Sequence, residues 1–241
     1  MSTQHAHQPS QSTTSVTRPP VTVGQTTHLD PGAYVRGTHA ITLGEHILIH
    51  PRSQLIGVHG PLSIGDKCII SEKAIIGGPV QTSSSTTDSS GRPPGGSAQP
   101  SPLIGQEVDD DNSDIDPVKT TIGSNVFIHA SSQIHAGATI KDGVLIEPHV
   151  TVLAGVTVGS HAKVCAGVTV DHDVDEWCVI YGKGNIKRRR KQTGSNAADD
   201  DAAGHAEAVE TMRLKAMDKE REGTTTILKM AARMATMAKK K

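Results

Sequence analysis

"VTVLAGVTVGSHAKVCAGVTV" (residues 150–170) contains no Phe, Tyr or Trp and repeats its rhythm without copying its residues. Stepping by six from Ile122 lands on Ile122, Ile128, Ile134, Ile140, Ile146, Val152, Val158, Val164 and Val170, without a miss. Four residues after each aliphatic stands a small or β-branched residue: Val126, Ser132, Ala138, Val144, Val150, Val156, Ala162 and Val168. An α-helix cannot use this period, because six residues carry each apolar side chain off the face of the one before. Short strands joined by sharp corners can, and β-branched residues suit strands. Asn125, Gly137, Gly143, Gly155 and Gly167 stand three residues after an aliphatic, where a corner needs the left-handed backbone region. Each hexapeptide therefore reads as one side plus one corner. Three of them close a triangular coil, and the next coil stacks about 4.8 Å away. The sequence thus predicts an all-β fold, a left-handed parallel β-helix of hexapeptide repeats, with a C-terminal α-helical tail.

The axial core of such a prism admits one medium side chain per side, which accounts for aromatic residues being only 2% of the 241-residue chain. The same step occurs earlier with slips. Leu29, Val35 and Ile41 are followed by Leu43, Ile49 and Leu55, and then by Ile64, Ile70 and Ile76. Ile47, Ser53, Cys68 and Ala74 fill the small positions. About three coils are expected here and three more after residue 120. Thr139 with Thr157, and Thr151 with Thr169, should form polar ladders on the outside.

The segments around this core differ in composition. Residues 1–27 are rich in Ser, Thr, Gln and Pro and read as a disordered extension. Residues 79–119 read as a low-complexity insertion into a β-helix that runs over 28–184. Residues 185–241 read as a charged linker, with "KRRRK" at 187–191 a solvated run, followed by helices. "DDD" at 199–201 suits a helix start. Gly223 and three threonines should divide the tail into two helices. Met212, Met217, Ile227, Met230 and Met234 on these helices are candidate partner contacts.

Composition narrows the function. The formal net charge of −1 gives no overall attraction to nucleic acid or anionic membrane. The three scattered cysteines fit a reduced, cytoplasmic thiol set rather than a disulfide framework. Thirteen histidines invite a test for chemistry. A zinc site would be sought at His129 and His135, but residues sharing a face lie 18 apart, and no two of His129, His135, His149 and His161 do. An acyltransferase would need a catalytic histidine, for which His59 and His172 are loop-like candidates without a clearly placed acidic partner. No catalytic, metal-binding or cofactor-binding residue is assigned on this reading.

The stretches "VRGTHAITLGEHILIHPRSQLIG", "GPLSIGDKCIISEKAII", "TIGSNVFIHASSQI" and "CVIYGKGNIKRRR", with the slips between them, resemble the dynactin subunit 6 family. The likeness covers about residues 29–190. It implies a non-catalytic subunit of the dynactin pointed-end complex, needing no cofactor and working in cytoplasm and cytoskeleton. Its partners would be a dynactin subunit 5-like β-helix protein, dynactin subunit 4 and an actin-related protein, in support of dynein-driven transport. The readings this leaves as alternatives are a γ-carbonic-anhydrase-like zinc enzyme and a hexapeptide acyltransferase.

Overall fold

The computed structural model describes residues 19–79, 117–182, 186–190 and 197–238. Most of the expected N-terminal extension (1–18) and of the insertion (80–116) lies outside the described residues, as does Lys191.

Six coils of three strands form the body. The first holds β1 (Val21–Val23), β2 (His28–Leu29) and β3 (Tyr34–Gly37). The second holds β4 (Ile41–Leu43), β5 (Leu48–Ile49) and β6 (Gln54–Gly57), and the third β7 (Leu62–Ile64), β8 (Ile69–Ile70) and β9 (Ile75–Gly78). After the insertion come β10 (Thr120–Ile122), β11 (Phe127–Ile128) and β12 (Gln133–His135). The fifth coil is β13 (Thr139–Ile140), β14 (Leu145–Ile146) and β15 (Thr151–Val152), and the sixth β16 (Thr157–Val158), β17 (Lys163–Val164) and β18 (Thr169–Val170). Every third strand stacks in parallel, so the first, second and third strands of the coils make three sheets, the faces of the prism. β19 (Cys178–Tyr181) extends the second face, and β20 (Ile186–Arg189) turns back antiparallel on it. The β-helix therefore begins at Val21, earlier than residue 28, and its last sheet runs on to Arg189.

The expected core is the observed one. All nine aliphatics of the six-residue series, Ile122 to Val170, are buried, and so are the eight small residues between them. Asn125, Gly137, Gly143, Gly155 and Gly167 all have positive φ. Non-glycine residues also take this conformation at corners, among them His46, Lys67, His149 and His161. The strain is offset by a repeated bond: the corner amide donates to a carbonyl of the coil before, as Lys67 does to Glu45, Asn125 to Asp66 and His161 to Asp142. The slips have a simple origin. Val21 pairs with Ile41 and Ile41 with Leu62, 20 and 21 residues apart, whereas Thr139 pairs with Thr157 at 18. The extra residues lengthen β3, β6 and β9 to four residues and crowd into the corner between the third and first faces. The threonine ladder on the first face runs from Thr22 through Thr42, Ser63, Thr121 and Thr139 to Thr157.

The tail differs from expectation. Gly223 and the threonines do not break it, and α1 (Ala197–Ala238) is one helix of 42 residues. An interior glycine costs about 1 kcal/mol relative to alanine, which the packing of the rest of the helix offsets. The helix lies along the second face and runs back toward the first coil. One helical turn rises 5.4 Å and one coil about 4.8 Å, so roughly one turn meets each coil. Glu210 reaches His161, Arg213 donates to the Gly143 carbonyl at 2.6 Å, Met217 packs on Phe127, and Arg221 donates to the Lys67 carbonyl at 3.4 Å. Phe127, the only phenylalanine, thus lies outside the tube with Leu48, Ile69 and Met217.

Candidate functional site

His135 ends β12 on the third face, at the corner from which the insertion departs. A bulge between Ile134 and His135 shifts the register against β9, so that His135 faces Gly78. The neighbouring Gly137 donates its amide to the Thr120 hydroxyl at 3.0 Å, just after the chain returns at Val118. His135 is 4% exposed, and its Nδ1 has no hydrogen-bond partner among the described residues. Burial holds its imidazole below the usual histidine range, and hence neutral at pH 7. An orphaned buried nitrogen costs about 1–3 kcal/mol. Sequence spacing gave it weight only as half of a metal pair.

That pair does not form. His129 follows β11 on the second face, stacked on Phe127 with ring centroids 3.9 Å apart. No three His, Cys, Asp or Glu side chains among the described residues converge on a point that could hold a metal. Of the two loop-like candidates, the backbone carbonyl of His59 accepts from Val118 at 2.9 Å. His172 does have an acidic partner, contrary to expectation: its Nδ1 lies 2.6 Å from Asp171 Oδ1, and that contact depresses the Asp171 carboxyl.

A denser cluster, invisible in the sequence, fastens the helix. Glu210, 3% exposed, accepts from Arg213 and from Arg190 and lies 3.1 Å from His161 Nδ1. Burial raises the Glu210 carboxyl and the partners lower it, with a net shift below its usual value. His161 stacks on Trp177 at 4.5 Å, and Arg190 lies over the same indole at 5.6 Å and donates to the His161 carbonyl. A Cβ at Gly143 would sit 2.5 Å from His161 Nδ1, and Gly143 has φ +68. Only glycine leaves room for the imidazole under the helix. These contacts put "KRRRK" to structural use at Arg190, although Arg189 remains near Asp175 at 3.8 Å on the surface.

The methionine contacts divide. Met217 is buried against the second face and is not available to a partner, which corrects its assignment, because the helix turns that residue onto its own β-helix. Met212, Ile227, Met230 and Met234 are exposed. Two hollows are present elsewhere. One of about 240 Å³ lies between α1 and the first two coils, lined by Thr26, His46, Arg221 and Thr225. The other, about 450 Å³, lies at the first-coil end of the tube and is lined by Val21, Val23, Leu29 and Val35. Neither includes His135.

With this geometry in hand, comparison with known proteins places the fold. The family model described as bacterial transferase hexapeptide (six repeats) matches residues 119–154 and 137–172. A hexapeptide transferase family protein from Anaplasma phagocytophilum superposes with TM-score 0.50 at 12% identity, over 80% of this chain and 90% of that one. A Bacillus cereus protein provisionally assigned as an acetyltransferase superposes with TM-score 0.53 at 15% identity, over 84% and 92%. At such identities the structural likeness speaks for the fold. No curated protein sequence matches the chain significantly. Residues 119–172 are matched by this repeat model, and the fold is a hexapeptide-repeat β-helix.

These findings correct the expectation of a non-catalytic dynactin subunit. The family model that matches residues 119–172 is described as a bacterial transferase's, which is at odds with a subunit of a motor-adaptor assembly. The spacing slips that carried the resemblance arise where extra residues crowd one corner of the prism. The reading of the chain as a non-enzyme is set aside with it.

Proposed function

We propose that the protein transfers an acyl group from a thioester to a hydroxyl or amine, with His135 as general base. The single observation that carries the assignment is the buried, unpartnered Nδ1 of His135 at the root of the insertion. A buried polar group left unpaired calls for an explanation, and a catalytic role is one. The matched transferase repeats span this residue, which supports the reading. A neutral imidazole takes the proton of the acceptor as the acceptor adds to the thioester carbonyl. The tetrahedral intermediate collapses with loss of the C–S bond, and the thiolate takes the proton back from the imidazolium. Neither of the two hollows described above reaches His135, and a second surface against this corner would complete the site for its substrates.

The test is thiol release from acetyl-coenzyme A in the presence of a panel of sugars and amines. His135→Asn should lower kcat about 100-fold or more with an unchanged melting temperature. His172→Ala should leave the rate within about twofold, because its base would act at the far end of the third face. If His172→Ala abolishes transfer and His135→Asn does not, the Asp171–His172 pair is the base. Absence of both acetyl-coenzyme A binding and thiol release in the wild-type chain would end the acyl-transfer reading.

A further inference from the structure

The docked part of α1 stops at Leu228, the last helix residue to pack on the second face. Every residue from Ala231 to Met237 is exposed. Along the last turns of the helix Ile227, Met230, Met234 and Met237 recur at steps of three, four and three and are 63%, 51%, 72% and 71% exposed. They make one narrow apolar stripe, separate from the face that Glu210, Met217 and Leu228 present to the β-helix. Lys229 and Arg233 flank the stripe, the chain continues into Lys239, Lys240 and Lys241, and no acidic residue follows Glu222.

We propose that Ile227–Ala238 docks into an acidic protein groove lined with apolar side chains, the kind that a calcium-loaded EF-hand domain presents. Charge complementarity selects the partner. A second copy of this helix would bring like charges together. A lipid surface is the poorer fit, since interfacial helices carry a broad face with Trp, Phe or Leu, whereas this stripe is narrow and made mostly of methionine. Anchors at such spacings are the pattern of a helix laid in a groove, and the unbranched thioether adapts to irregular walls. The helix is already formed and held by its docked turns, so binding does not have to order it. This inference is independent of the acyl-transfer reading.

The experiment titrates the full chain with calcium-loaded calmodulin as the acidic-groove probe and follows binding by calorimetry. One-to-one binding in the micromolar range or tighter is expected, abolished by EGTA. Met230→Glu with Met234→Glu should weaken it about tenfold or more, as should Lys229→Glu with Arg233→Glu, at an unchanged melting temperature. No saturation by roughly 100 µM probe would overturn the proposal. So would binding indifferent to both double variants. Tighter adsorption to phosphatidylserine vesicles than to the probe would assign the stripe to a membrane instead. A concentration-dependent mass that the methionine variants abolish would assign it to a second copy.

Discussion

Ile134 lies wholly inside the tube, stacked between Ile76 and Val152. Ile134→Asp would place a carboxylate where no donor or water can reach it, at a cost of several kcal/mol. The expected result is loss of the folded chain, seen as absence of a cooperative melting transition; a soluble variant that melts normally would contradict the dry core. Cys68 occupies a small position of the same core and donates to the Gly123 carbonyl at 3.0 Å. Burial pushes its thiol up to about 12. It should therefore resist a disulfide reagent at pH 8 until the protein unfolds, and Cys68→Ser should leave native thiol reactivity unchanged. Both residues were placed by spacing alone. His135 was not: its position in the series is ordinary, and its burial depends on a bulge and a returning segment that pattern cannot foretell.

At the scale of the element, α1 is joined to the rest of the molecule by an apolar contact at Met217 and by the ion pair of Glu210 with Arg190. Met217→Ala should cost about 2–4 kcal/mol of docking, measured as a fall in the helix melting transition. Glu210 predicts a pH dependence with a definite sign. Its folded carboxyl lies below its unfolded value of 4.5, so its stabilising contribution is complete above that value and is lost as pH falls through the folded one. Fluorescence of Trp177, the only tryptophan, reports this site directly because it stacks on His161. Acidification below about pH 4.5 should change the emission of the wild type more than that of Glu210→Gln. The variant should itself lose about 3 kcal/mol, since it leaves Arg190 and Arg213 without their counter-charge. Equal acid transitions in the two proteins would show that helix docking does not depend on this carboxylate.

Across the whole molecule, the near-match of helical turn and coil rise lets one straight helix cover a straight face. Leu48, Ile69 and Phe127 are buried by it. Ending the chain at residue 196 should expose them, lower the melting temperature and produce concentration-dependent association by light scattering. A truncated chain that stays monomeric with full stability would mean that the helix is a passive appendage. The first face, with its hydroxyl ladder, needs no such cover.

How much of this was legible depends on the range of the interaction. Strands, corners and core follow from spacing within a few residues, because a hexapeptide repeat stacks each side chain on a like neighbour and the local period is the tertiary contact. Even the covered face left a trace: Leu48–Ile49, Ile69–Ile70, Phe127–Ile128 and Leu145–Ile146 pair an outward with an inward apolar residue, where the first face puts threonine or serine. What covers that face, the union of Glu210 with His161 and Arg190, the continuity of α1 across Gly223 and the burial of His135 were decided only in three dimensions. Those contacts join residues tens of positions apart, and no period in the chain links them.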